Sequence, residues 1–173
     1  MNDRIAARAV WRFALLSVFA LTLSARAAVL DENDASRLAA INEAIKFFED
    51  DVNSALHDLP NDEAEQIESY AYVKLNLEAA HERLNTVFML AAVSVYVDSA
   101  SDQLLILNLM HGQLLPQSKN YLNEKRNAIA SMAAAHPANQ VLATYGRRAA
   151  ALLADRAIPL LDELYRRTGD PAP

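Results

Sequence analysis

Residues 37–59 read RLAAINEAIKFFEDDVNSALHDL, and within them Leu38, Ile41, Ile45, Phe48, Val52, Leu56 and Leu59 recur at intervals of 3, 4, 3, 4, 4 and 3. That spacing draws one apolar stripe along a helix, whereas a strand would place apolar residues at every second position. The stretch predicts an amphipathic helix over 34–59, capped by Asp34 or Ser36, with the stripe in a core and Glu49 in water. Phe48→Ala is expected to destabilise the domain and Glu49→Ala to do little.

The pattern repeats toward the C-terminus. Pro60-Asn61-Asp62 interrupts it, with Asp62 and Glu65 spaced like a capping box, and Tyr70, Val73, Leu77, Ala80, Leu84, Val87 and Ala91 then alternate by 3 and 4. A second helix is predicted over 62–98. Ser99-Ala100-Ser101-Asp102 is a polar break in which Ser101 or Asp102 can cap a third helix over 102–134. His136-Pro137 ends it and opens a fourth over 138–168, with Val141, Tyr145, Leu152, Leu153, Leu160 and Leu164 on its stripe and Gly169 as its stop. The chain has three glycines, Gly112, Gly146 and Gly169, and no period-two alternation between turn signals, so strands are not expected. The predicted fold is all-α, an up-down-up-down four-helix bundle joined by short connections.

Residues 1–27 read as a cleavable signal peptide. Arg4, Arg8 and Arg12 form a positive segment, Phe13 to Leu23 an apolar-and-small run of 11 residues, and Ala25-Arg26-Ala27 a small-x-small cleavage site. Such a run spans roughly 16 Å as a helix, about half a bilayer core, which favours a leader over an anchor. Residues 28–173 would then form one domain of a periplasmic protein, with no membrane span after cleavage. The sequence contains no cysteine, so neither a disulfide nor a lipid-anchor cysteine is possible.

The whole chain has 16 basic and 22 acidic side chains. The leader holds four Arg and one Asp, leaving 12 basic and 21 acidic side chains and a net charge of −9 in the remainder. Nucleic acid is not an expected partner for such a chain. Residues 28–102 hold 16 acids against 4 bases and residues 103–173 hold 5 against 8, so the halves should attract.

Folding the second helix on the third about Ala100 pairs residues whose numbers sum to about 200; the third–fourth and first–second pairs fold about His136 and Pro60, with sums of about 272 and 120. Pro116 and Pro159 then kink adjacent helices at similar height, where a pocket can open. Beyond about Val87 the second helix outruns the first, yet this is the most apolar region of the chain. A partner-binding end is expected there, formed by Val87, Phe88, Leu90, Val93, Val95, Tyr96, Val97, Leu104, Leu105 and Leu107. A homodimer, another protein, an apolar ligand or a fold-back of the chain itself would cover it, and Val93 and Leu107 are the positions at which a charge would test the surface.

Chemistry finds little purchase. Glu78 and His81 match the Glu-x-x-His spacing of di-iron bundles, but only once. Met89 and His111 stand at one level on neighbouring helices and are the other candidate metal or haem ligands. His57 and His136 fall at helix ends. There is no Cys nucleophile, no Gly-x-Ser-x-Gly elbow, no His-Glu-x-x-His pair and no phosphate loop, so no enzyme activity and no cofactor are expected. The reading is an exported, non-catalytic binding protein; the alternatives are a metal- or haem-binding bundle and an inhibitor or immunity-type partner of a basic exported enzyme.

Overall fold

The computed structural model describes residues 30–60 and 63–169; the signal-peptide reading and the Asp62 capping box lie outside the described residues. Residues Leu30–Gly169 cluster as one unit. Four helical rods build it: α1 (Glu32–His57); α2 (Ala64–Tyr96); a third rod of α3 (Ala100–Leu109), a π-turn (Met110–Leu114) and α4 (Leu115–Ala135); and a fourth of α5 (Gln140–Leu152), a second π-turn (Leu153–Ala157) and α6 (Ile158–Gly169). No strand occurs among the described residues, and none of their helices is long and apolar enough to cross a membrane.

Neighbouring rods run antiparallel. Asn42 meets Asn85 across α1 and α2, Ser94 meets Gln103 and Arg83 meets Gln117 across the second and third rods, Lys119 meets Asp162 across the third and fourth, and Arg37 meets Glu163 across the fourth and first. One core lies between them. The predicted residues Leu38, Ile41, Ile45, Phe48 and Val52 of α1 are buried, as are all seven of the α2 stripe from Tyr70 to Ala91.

The helix ends differ from expectation in their caps. α1 starts earlier than predicted because Asp31 and Asp34 form a reciprocal box: each carboxylate accepts the other's backbone N–H, at 2.9 and 3.1 Å. Two donors that a helix start leaves unpaired are thereby satisfied. Ser99 caps α3 by accepting from the Asp102 backbone N–H, and Asn139 caps α5 by accepting from that of Leu142, so neither Ser101, Asp102 nor Pro137 plays the expected part.

Three further expectations change. Glu49 is buried, not exposed, because it lies in phase with Ile45 and Val52. Val141 is exposed; the inward side of α5 instead carries Leu142, Ala143, Gly146, Ala149 and Ala150. Small residues there allow close approach: a Cβ at Gly146 would stand 2.9 Å from the Ala133 Cβ of α4. Finally, Asn42 opposite Asn85 and Glu49 near His81 set α1 roughly two turns further along α2 than a fold about Pro60 predicts. Part of that shift arises because side chains lean toward the N-terminus of their own helix. By this register Glu32 stands near the level of Val95, so α1 covers one side of the apolar stretch expected to be bare.

At the two prolines, where kinks are predicted, the rods contain π-turns. Each proline follows such a turn. The residue before it, Leu115 or Ile158, donates its backbone N–H five residues back, to Met110 or Leu153. A proline ring collides with the carbonyl four residues earlier, and the wider turn relieves that clash without breaking the rod.

Candidate functional site

At one end of the bundle meet the start of α1, the end of α2, the start of α3 and the end of α6. The α2–α3 hairpin keeps an inward side here: Val87, Ala91 and Ser94 from α2, and Leu107 with Met110 from the third rod, are buried. Val87 and Leu107 therefore belong to the core and offer nothing to a partner. Phe88, Leu90, Val95 and Val97 are half-buried along the flanks.

The outward sides are different. Met89, Val93 and Tyr96 follow one another at helical spacing on the side of α2 opposite Ala91, and Leu105 and Leu109 do the same on the third rod opposite Leu107, with Leu104 on its flank. Tyr96 is 70% exposed and Leu105 68%. Six large apolar side chains thus face solvent at one end of the molecule. Met89, a candidate metal ligand by sequence, and Leu109 both belong to this surface. The i, i+4 spacing from Leu105 was the signal for Leu109.

Charge is nearly absent from this hairpin. Between Arg83 and Lys119 there is no Lys or Arg, and the only carboxylates are Asp98 and Asp102 at the turn.

Beside the hairpin, α1 and α6 are joined by ion pairs. Arg37 donates to both oxygens of Glu163, at 2.9 and 2.7 Å, and Arg167 donates to Asp34 at 2.8 Å. Asp34 is fully buried, yet its carboxylate also accepts the Asp31 backbone N–H. The hydrogen bonds from Arg37 hold the Glu163 carboxyl below its ordinary value, and those to Glu163 raise Arg37. These pairs span 126 and 133 positions of sequence, and local pattern could not reveal them. Only Asp34 with Arg167 has the polarity expected from the acidic first half and basic second half.

His111 does not face Met89. Its ring stacks on Tyr165 of α6 with centroids 4.3 Å apart, and its Nδ1 lies 3.0 Å from the Tyr165 carbonyl oxygen. A Cβ at Gly169 would meet the His111 ring, which would have to shift. His81 stands 4.0 Å from Glu49 of α1, and Glu78 makes no ion pair or side-chain hydrogen bond among the described residues. Glu49 is held on one oxygen by Lys46 at 2.8 Å, while its other oxygen, nearest His81, has no hydrogen-bond partner. No group of three or more His, Asp or Glu placed to hold a metal occurs among the described residues.

At the opposite end of the bundle polar side chains bond across the rods. Asn139 accepts from the Tyr70 hydroxyl at 2.9 Å and donates to Gln66 at 3.0 Å. Ser69 lies 3.0 Å from His136 Nε2, which resembles a nucleophile and its base. Its single hydroxyl proton, however, goes to the Glu65 carbonyl oxygen, so the imidazole donates to Ser69 and the pair fastens two rods.

Comparison with known protein families, with curated proteins and with solved structures finds no match to this chain.

Proposed function

We propose that the protein is exported to the periplasm and acts without catalysis, by binding through the outward sides of the α2–α3 hairpin, and that the occupant is a second copy of the chain. One observation carries this reading: Met89, Val93, Tyr96, Leu104, Leu105 and Leu109 lie exposed together at one end. Scattered apolar side chains are normal on a surface, but a concentration of large ones favours association.

The charges select among occupants. With no Lys or Arg between Arg83 and Lys119, the hairpin has nothing to attract an anionic membrane, and its two carboxylates at the turn oppose insertion. Two copies meeting turn to turn would bring four carboxylates together. Side-by-side packing of the rods keeps these apart and joins apolar stripe to apolar stripe about a two-fold axis.

Sedimentation of wild type, Val93→Asp and Leu105→Asp tests this. The wild type is expected to be a dimer in the micromolar range, and each variant a monomer of unchanged helicity, because an unpaired charge in a dry interface costs several kcal/mol. A wild type that stays monomeric and binds no apolar fluorophore would remove the proposal's support.

A further inference from the structure

A second feature lies on the opposite flank, between α1 and the fourth rod. A cavity of about 370 Å³ is lined by Arg37, Ala40 and Ile41 of α1 and by Leu152, Asp155, Arg156, Pro159, Leu160 and Glu163. It sits on the second π-turn, where the missing proline N–H leaves the preceding turn one donor short. At the level where the sequence places Pro116 and Pro159, this cavity borders Pro159 and opens toward α1. π-turns inside helices recur at functional sites because they displace side chains from the helical phase.

The lining defines what fits. Ile41 and Leu160 are buried and, with Leu152 and Pro159, make an apolar floor. On one wall Arg37 and Glu163 consume each other's charge in their two-bond pair. The π-turn supplies the remaining charges, Asp155 and Arg156, which are exposed and make no ion pair or side-chain hydrogen bond with any described residue. The four ionisable side chains cancel, so neither a simple anion nor a simple cation is favoured. Two adjacent unpaired charges of opposite sign above an apolar floor complement a zwitterion with an apolar tail. The volume is near the lower end of ligand sites, ~300 to 1,000 Å³, and suits a molecule of amino-acid to dipeptide size.

We propose that this cavity binds a small apolar zwitterion of the amino-acid type, its ammonium against Asp155, its carboxylate against Arg156 and its side chain on Ile41, Leu152 and Leu160. The site is separate from the apolar hairpin end, and its test does not depend on dimerisation.

The experiment titrates the folded protein, observed by amide NMR, with L-leucine, leucinamide and 4-methylpentanoate, which carry respectively both charges, the cation alone and the anion alone. Leucine is expected to give saturable shifts confined to residues 37–41 and 152–163, with each single-charge analogue about tenfold weaker, the worth of one charge-assisted hydrogen bond. Arg156→Gln should erase the preference for leucine over leucinamide, and Asp155→Asn the preference over 4-methylpentanoate. Both side chains are exposed, so circular dichroism should show both variants folded as wild type. Absence of saturable shifts with leucine, equal binding of 4-methylpentanoate, or preferences that survive both substitutions would overturn the proposal.

Discussion

The two ends of the bundle solve the same problem in opposite ways. At the end holding the α1–α2 and α4–α5 connections, Asn139, Tyr70, Gln66, Ser69 and His136 exchange hydrogen bonds across rods. At the other, one side is fastened by Asp34, Arg37, Glu163 and Arg167, while the hairpin beside it turns leucines, a tyrosine and a methionine outward. Directional bonds tie the rods together at the first end, whereas the second leaves a cluster of large apolar side chains in water. The second end sets an ionic clamp of α1 on α6 beside apolar rods that lack any such bonds on their outward sides.

The largest expected effect separates the inward and outward sides of that hairpin. Leu107→Asp places a charge among Met110 and the α2 core and should cost more than about 4 kcal/mol, enough to unfold a marginal domain. Leu105→Asp, two residues away, should change the unfolding free energy of the monomer, measured in urea below the concentration at which the chain dimerises, by no more than about 0.5 kcal/mol, as exposed substitutions do. Equal losses would mean that the third rod is rotated from the phase described.

Next comes the clamp. Asp34→Ala removes the buried carboxylate to which Arg167 donates, leaving that guanidinium the Glu163 carboxylate 3.6 Å away, and removes half of the reciprocal cap of α1, so a loss of about 3 kcal/mol is expected by chemical denaturation. At the polar end Asn139→Ala should cost less, about 2 kcal/mol: it removes one helix cap and strands the hydroxyl of buried Tyr70. Reversal of that order would show that the polar end, not the ionic one, governs global stability.

What the sequence disclosed about this comparison follows its physics. The stripes of α1 and α2 were legible because large apolar residues recur in phase, and the buried Glu49 was legible in principle, since it falls four residues after Ile45. The start of the fourth rod misled because its inward side is built of Ala and Gly, which carry little hydrophobic signal, while Val141 beside them faces water. The prolines announced a disturbance, but not a π-turn, whose extra residue per turn depends on how the rod relaxes. The clamp is hidden by separation along the chain, whereas Leu109 is legible from its i, i+4 spacing to Leu105, and the side of α2 that stays bare at Met89 depends on where α1 packs.

The smallest effect concerns pH at the clamp's outer pair. Arg37 donates to both Glu163 oxygens and holds that carboxyl below its ordinary value of 4.5. A carboxyl lowered by folding adds stability that is fully present above its unfolded value and is lost as pH falls through the folded one. Acidification from about pH 4.5 downward should therefore erode wild-type stability more steeply than that of Glu163→Gln, which keeps the shape but has no proton to gain. The side chains of Arg37 and Glu163 are 41% and 35% exposed, so water and salt screen the pair and the whole difference should stay within about 1 kcal/mol. Urea midpoints of the two proteins across that range, at low and high salt, measure it. Parallel curves would show that the pair orients α6 against α1 without contributing free energy, whereas a difference that persists in high salt would place Glu163 with buried Asp34 in one dry network.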